Sequence, residues 1–285
     1  MPRMKNKKIS TIVLALIFAA GLALLLYPTV SDVWNKMHQS RAIVQYTRQV
    51  ETLDPARFAD LWAQAEAYNR TLLDNPDRFQ DPEAQLAACE QLLVVSDTDV
   101  IGTLEIPGIG VTLPIYHGTS EGVLQVGVGN VEGSSLPTGG AGTHCVLSGH
   151  RGLPSARLLT DLDDLIVGDT FTLTVLDRTM TYQVDQILTV LPYEMEALAI
   201  DPQQDYCTLV TCTPYGINTH RLLVRGRRVD GAAAAQPAAD DGAPAAAALT
   251  ADAVPVPPAA VAAWLLAPFA IAAAVVLFVK LRKKN

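Results

Sequence analysis

Lysine is almost missing from the middle of this 285-residue chain: Lys5, Lys7, Lys8, Lys280, Lys283 and Lys284 crowd the two ends, and only Lys36 lies between them. With Arg3 and Arg282, eight of the 21 basic residues are terminal, leaving 13 against 29 acidic residues in the interior. An interior so acidic, near −16, has no basic stripe to lay along a phosphate backbone and argues against nucleic acid as a partner. Cysteine is scarce as well. Cys89, Cys145, Cys207 and Cys212 contain no C-x-x-C pair, which weakens a metal site built from His144, Cys145, His150, Cys207 and Cys212. No metal and no cofactor is expected. Large apolar residues are nearly absent from residues 231–258, "GAAAAQPAADDGAPAAAALTADAVPVPP", so that stretch reads as a linker that cannot build a core.

What the interior lacks, the ends supply. A basic tail over residues 1–8 precedes an apolar run at 9–27 without a charge. At 1.5 Å per residue that run is roughly 28 Å long, close to a bilayer core. A second apolar run at 259–279 precedes a second basic tail at 280–285. Basic flanks stay on the cytoplasmic side, so the pattern predicts a two-pass membrane protein with its middle outside. "LLLYPTVSDVW" offers no small-x-small cleavage site, which favours a retained anchor over a signal peptide.

Between the spans two textures alternate. Residues 28–99 read as a helical segment with helical apolar spacing over Ser31–Asp74. "DPARF" places Asp54 as N-cap and Pro55 at the first helical position, and a short helix is expected from Pro82 to about Leu93. From Val100 to 230 the chain turns to short β-type runs: "VIGTLEI", "VTLPIY", "VLQVGV", "THCVLS", "FTLTVL", "TYQVDQILTV", "YCTLVTC" and "RLLVRGRRV". Eight short strands without regular intervening helices predict a mainly β fold, a closed barrel or sandwich.

A free thiol is only a few per cent thiolate at neutral pH, so a nucleophilic cysteine needs a base or a cation beside it. Cys212 ends a strand before the turn "TPYG", and His150 follows another strand in "LSGHRGLPSA". Both are turn-flanked positions of the kind functional residues occupy. Together with Arg221 in "INTHRLLVRG", these motifs resemble, in the same order, those of the sortases, the cysteine transpeptidases of Gram-positive cell surfaces. The likeness extends over roughly residues 100–229, and "TLVTCTPYGINTHRLLVRG" is most similar to the class C, pilin-polymerising branch.

This resemblance implies an eight-stranded sortase barrel with Cys212 as nucleophile, His150 as acid/base and Arg221 as oxyanion or substrate clamp. Cys212 attacks the Thr–Gly carbonyl of an LPxTG-like sorting signal, and the thioacyl-enzyme passes to a lysine amine of a pilin subunit. It also implies a lid ahead of the barrel, for which "RFQDPEAQ" offers Asp81 reaching toward Arg221 and Phe79 supplying the ring. Asp81 is an equally good N-cap for the helix starting at Pro82. Asn130 departs from the family, which often has histidine there. The order His150 before Cys212 is unlike that of papain-type peptidases. The alternatives are a cell-wall-anchoring sortase, a hydrolytic cysteine peptidase and a non-enzymatic surface binding protein. The sequence "LPTGG" at 136–140 has its threonine one place early for a sorting signal, so the chain does not read as a substrate itself. Cys145 and Cys207 lie at equal offsets from His150 and Cys212, which leaves them either bridged or side by side as buried thiols.

Overall fold

The computed structural model describes residues 3–95 and 97–229, so the expected linker and second span lie outside the described residues. Among the described residues, those up to Val33 belong to one unit and those from Trp34 to another. Helix α1 runs over Arg3–Val50 with Pro28 inside it. The helix of the first span thus continues into the first part of the expected helical segment, as far as Val50, where the sequence suggested a boundary near residue 28. Its stretch from Thr11 is long and apolar enough to cross a membrane, and only 6% of its most apolar window is buried. Leu14, Ile17, Phe18, Leu24 and Leu25 are exposed.

In the second unit, α2 spans Pro55–Leu73 and α3 spans Pro82–Cys89. Asp54 caps α2 by accepting from the Arg57 amide at 2.7 Å, which satisfies one of the free donors of a helix start. The buried stripe Leu61, Trp62, Ala65, Tyr68 and Leu72 joins the core of the β domain. The Trp62 indole donates to Asp177 at 2.8 Å. Asn69 accepts from the Leu136 amide at 2.7 Å and donates to Thr138 Oγ1 at 2.8 Å. Helix α3 stops at Cys89, short of the expected Leu93, because the chain turns sharply there and holds Leu93 at φ 61°.

Eight strands follow: β1 (Val100–Ile106), β2 (Val111–His117), β3 (Val128–Asn130), β4 (Thr143–Ser148), β5 (Thr170–Val175), β6 (Arg178–Val190), β7 (Asp205–Thr213) and β8 (His220–Arg228). They close into a barrel in the order β1-β2-β3-β4-β7-β8-β6-β5. Alternation fills the interior with Leu104, Ile115, Leu147, Phe171, Leu173, Tyr182, Leu209 and Val224, all nearly sealed from solvent. Each large apolar side chain buried this way contributes roughly 1.5–3 kcal/mol. The run "VLQVGV" is not the single strand expected. Its first part lies in α4 (Glu121–Val126), and only Val128–Asn130 pair as β3. Ser120 caps α4 by accepting from the Val123 amide at 3.4 Å. The chain then turns into β3 through Gly127, where a Cβ would sit 2.6 Å from the Pro114 carbonyl.

Candidate active site

Strands β4 and β7 run parallel, with Cys145 opposite Cys207 and Ser148 opposite Val210. The pairing continues past the end of β4. The Gly149 amide donates to the Val210 carbonyl at 3.0 Å, and Thr211 Oγ1 donates to the Gly149 carbonyl at 2.8 Å. His150 therefore comes level with Cys212. On the other side of β7, strand β8 runs antiparallel and places Arg221 directly opposite Cys212. Neighbouring strands lie about 4.8 Å apart, so His150, Cys212 and Arg221 form one row across three adjacent chain segments.

The row lies on the outer face of the barrel wall. Cys207, Leu209, Leu222 and Val224 point into the main core. Val146, Val210 and Leu223, one residue out of phase, form a separate cluster with Leu198. Cys212, Arg221 and His150 continue that second phase. Cys212 is partly exposed and the His150 side chain is 26% exposed, so both meet solvent. The Arg221 guanidinium donates to the His220 carbonyl at 3.1 Å and grazes that of Asn218 at 3.4 Å. No side-chain carboxylate is among these contacts, which leaves its other donors for an incoming carbonyl or oxyanion.

A loop holds His150 from the far side. The Leu159 amide donates to the His150 carbonyl at 3.1 Å, the Gly152 amide donates to Thr160 Oγ1 at 3.1 Å, and Arg151 pairs with Asp163. Gly149 packs closely enough on Leu159 that a Cβ would lie 2.8 Å from it.

The adjacent pair His144–Cys145 also combines the right residue types, but in a different setting. His144 is almost sealed from solvent, with Nδ1 2.8 Å from the Ala199 carbonyl and Nε2 2.7 Å from Thr208 Oγ1. Burial is the main cause that lowers its pKa to about 4. Both ring nitrogens are occupied, so this neutral imidazole has no free position for a proton transfer. Cys145 and Cys207 are free thiols, both sealed from solvent. Burial first, then the contact with Cys145, pushes the Cys207 thiol well up. Low reactivity follows, since the thiolate is the nucleophile. Asn130 is interior too, donating to Ser134 Oγ at 3.1 Å and to the Ser135 carbonyl at 3.0 Å.

The expected lid contact is not made. Asp81 accepts from the Ala84 amide at 3.1 Å as the N-cap of α3, and Arg221 is turned to backbone carbonyls instead. The free amides of a helix start satisfy the carboxylate locally, at no cost in ordering a longer loop. Phe79 does approach the row, packing on the cluster that contains Val210 and Leu223. Arg78 lies over its ring at 4.5 Å and donates to the Leu198 carbonyl at 2.7 Å. Nothing local in the chain marks this pinning, because its other half is Gly133, where a Cβ would fall 2.1 Å from the Arg78 carbonyl.

A cavity of about 610 Å³ opens elsewhere, lined by Asn69, Arg70, Gly140, Asp205 and Arg228 among others. Asp205 begins the strand that carries Cys212. At about 3.3 Å per residue the two positions are roughly 23 Å apart, so this cavity is separate from the row.

Comparison with known proteins gives the site its context. The family model described as "Sortase domain" matches residues 104–229. Sortase C1 from Streptococcus agalactiae is 48% identical, over 67% of this chain and 99% of that one, with a TM-score of 0.64. The sortase C of Streptococcus pneumoniae, whose structure bears on catalysis and pilin substrate specificity, is 46% identical over 67% of this chain and 97% of that one, with a TM-score of 0.61. A Clostridium perfringens sortase C, solved with a C-terminal cell wall sorting motif, is 42% identical over 66% of this chain and 97% of that one, at a TM-score of 0.56.

Proposed function

This chain belongs to the sortase family, on its class C branch, and is a cysteine transpeptidase; from that premise we propose that Cys212 cleaves an LPxTG-like sorting signal and passes the acyl group to a lysine amine of a pilin subunit. The observation that carries this reading is the row of His150, Cys212 and Arg221 on the outer barrel face. Cys212 Sγ attacks the Thr–Gly carbonyl while His150 holds the thiol proton. That proton goes to the leaving amine, and the Thr acyl group remains on sulfur as a thioester. The incoming lysine amine then attacks the thioester, gives its proton to His150, and releases the thiolate.

Each step builds negative charge on a carbonyl oxygen. A fixed cation beside it in a partly shielded site lowers the barrier without reorganising at the moment of reaction. Arg221 fits that role because its guanidinium is planar and permanently charged. A long extended substrate suits an outer-face site better than a closed cavity. The ring of Phe79, packed on the cluster that contains Val210 and Leu223, bounds the approach to Cys212 in this reading.

Membrane attachment through α1 accords with its exposed apolar length and with the basic residues ahead of it. In this reading the barrel acts outside the cell, where pilin subunits with sorting signals are presented. The transfer reaction tests the whole. The full chain in detergent, mixed with an LPxTG peptide and a pilin subunit, is expected to give a product joined at a lysine in mass spectra. Cys212→Ala and His150→Ala are expected to abolish product, and Arg221→Lys to lose at least 100-fold, the scale of removing one oxyanion donor. His144→Ala is expected to keep most activity. Transfer by the Cys212→Ala protein would overturn the mechanism, and release of free peptide acid alone would favour a hydrolytic peptidase.

A further inference from the structure

The two nitrogens of the His150 ring need separate partners if one of them is to serve Cys212. Nε2 is sealed from solvent and makes no hydrogen bond among the described residues. It lies 3.6 Å from Oε2 of Glu121, just outside hydrogen-bond reach, and the Glu121 side chain itself is 71% exposed. Glu121 opens α4, in the stretch where the sequence suggested a strand. Its carboxylate is held by one neighbour on the same helix, and the turn before it is fixed separately. Gln125 donates to Oε1 at 2.9 Å. The preceding turn is tied down by Glu132, which accepts from the Thr119 amide at 2.8 Å and from Thr119 Oγ1 at 2.9 Å. The Gln125 hydrogen bond, and then the charge of His150, keep the Glu121 carboxyl below its usual range.

The other charged and titratable groups that face this corner do not compete for Nε2. Arg151, next in the chain, is turned to Asp163 and lies 5.9 Å from the Tyr215 ring. Arg221 donates to carbonyls of its own turn. Cys212 comes from β7 on one side of β4, whereas α4 packs against β3 and β2 on the other.

We infer that Glu121 is a positioning residue for His150, holding the ring proton on Nε2 and leaving Nδ1 as the nitrogen that exchanges a proton with Cys212 and with the leaving and entering amines. The inference rests on His150 being the acid/base of the proposed reaction. A neutral imidazole with its proton on Nε2 presents a lone pair at Nδ1. That lone pair takes the thiol proton, and the imidazolium so formed is balanced by the carboxylate 3.6 Å away. When Nδ1 returns the proton to the amine, the ring is back in its first tautomer. A carboxylate that fixes tautomer and orientation in this way is an established device in nucleophile–base pairs. Catalytic hydrogen bonds that are long in the free enzyme tighten in the substrate complex, and a small closing of α4 suffices here.

The test uses the full chain in detergent, with histidine labelled with nitrogen-15 and the His150 signals assigned by their loss in His150→Gln. The neutral ring of His150 is expected to carry its proton on Nε2; a proton on Nδ1 would overturn the inference. This readout needs no turnover, so it stands apart from any failure of the proposed reaction. In kinetics, Glu121→Ala is expected to lower kcat about tenfold or more with KM for the sorting peptide little changed, and Glu121→Asp to restore much of it. Glu121→Gln keeps an acceptor but removes the charge that favours the imidazolium. The limb of the kcat/KM profile set by the imidazole should then move to lower pH. A Glu121→Gln protein with the wild-type kcat and pH profile refutes the inference. So does a change in KM alone, which is what a purely structural role at the start of α4 produces.

Discussion

Mild acid should weaken this barrel, and His144 sets how much. Its Nδ1–H donates to the Ala199 carbonyl and its Nε2 accepts from the Thr208 hydroxyl, so the native ring is neutral and fully bonded. Burial, as the main cause, brings its pKa to about 4 in the folded chain, and the nearby Arg225 and Arg78 charges act in the same direction. An unfolded histidine titrates near 6.5. Between those values the unfolded state binds more protons, so the stabilisation is fully present above about pH 6.5 and is lost as pH falls toward 4. At pH 5 the loss relative to pH 7 comes to about 2 kcal/mol. Denaturant unfolding of the wild type and of His144→Gln at pH 7 and pH 5, followed by tryptophan fluorescence, isolates this term. Burial lowers His117 in the same direction and raises Asp205, which works the opposite way. Both are common to the two proteins and cancel in the difference. The wild type is expected to lose about 2 kcal/mol more than the variant on acidification. An equal loss in both proteins would refute the reasoning, because His144 would then protonate in the folded barrel as readily as outside it.

Two further substitutions probe the surroundings of the row. Gly133→Ala places a Cβ 2.1 Å from the Arg78 carbonyl at a residue held at φ 81°. It is expected to lift the Arg78–Phe79 segment and to speed labelling of Cys212 by a bulky thiol reagent several-fold, whereas an unchanged rate would show that the segment does not limit access. Cys207→Ala is expected to keep catalysis and to cost about 1 kcal/mol in denaturant unfolding, the common size of a single-residue loss. Loss of the thioacyl-enzyme in a folded Cys207→Ala protein would identify the wrong cysteine as nucleophile.

Strand periodicity made most of the barrel legible in the sequence. "VIGTLEI" and "THCVLS" coincide with β1 and β4 to the residue, and five of the other runs fall within a few residues of their strands. The exception, "VLQVGV", has the apolar content of a strand, but the hydroxyl of Ser120 and the carboxylate of Glu121 ahead of it start a helix instead. Missing that helix also hid Glu121, whose place beside His150 depends on α4 bringing it there. The row of His150, Cys212 and Arg221 was readable for a different reason. Equal offsets from Cys145 to His150 and from Cys207 to Cys212 become a shared level only when β4 and β7 run parallel, which the family likeness supplied and the register bears out. No local pattern encodes the contact between Gly133 and Arg78, which are 55 positions apart. It arises only once the loop after β3 and the loop after α2 fold against each other.

The order of strands around the barrel has a consequence for how activity is lost. His150 follows β4, Cys212 ends β7 and Arg221 starts β8, yet the chain visits β5 and β6 between the first and second of these and closes the ring through them. β6 is bonded to both β5 and β8, so the strand holding Arg221 leans on a hairpin inserted between the histidine and the cysteine. A closed ladder of this kind offers no outer strand to peel away first. Damage to the β5–β6 hairpin, on the far side of the ring from His150, is transmitted to Arg221 through shared backbone bonds. The position of Arg221 thus depends on hydrogen-bonded neighbours on both sides of β8.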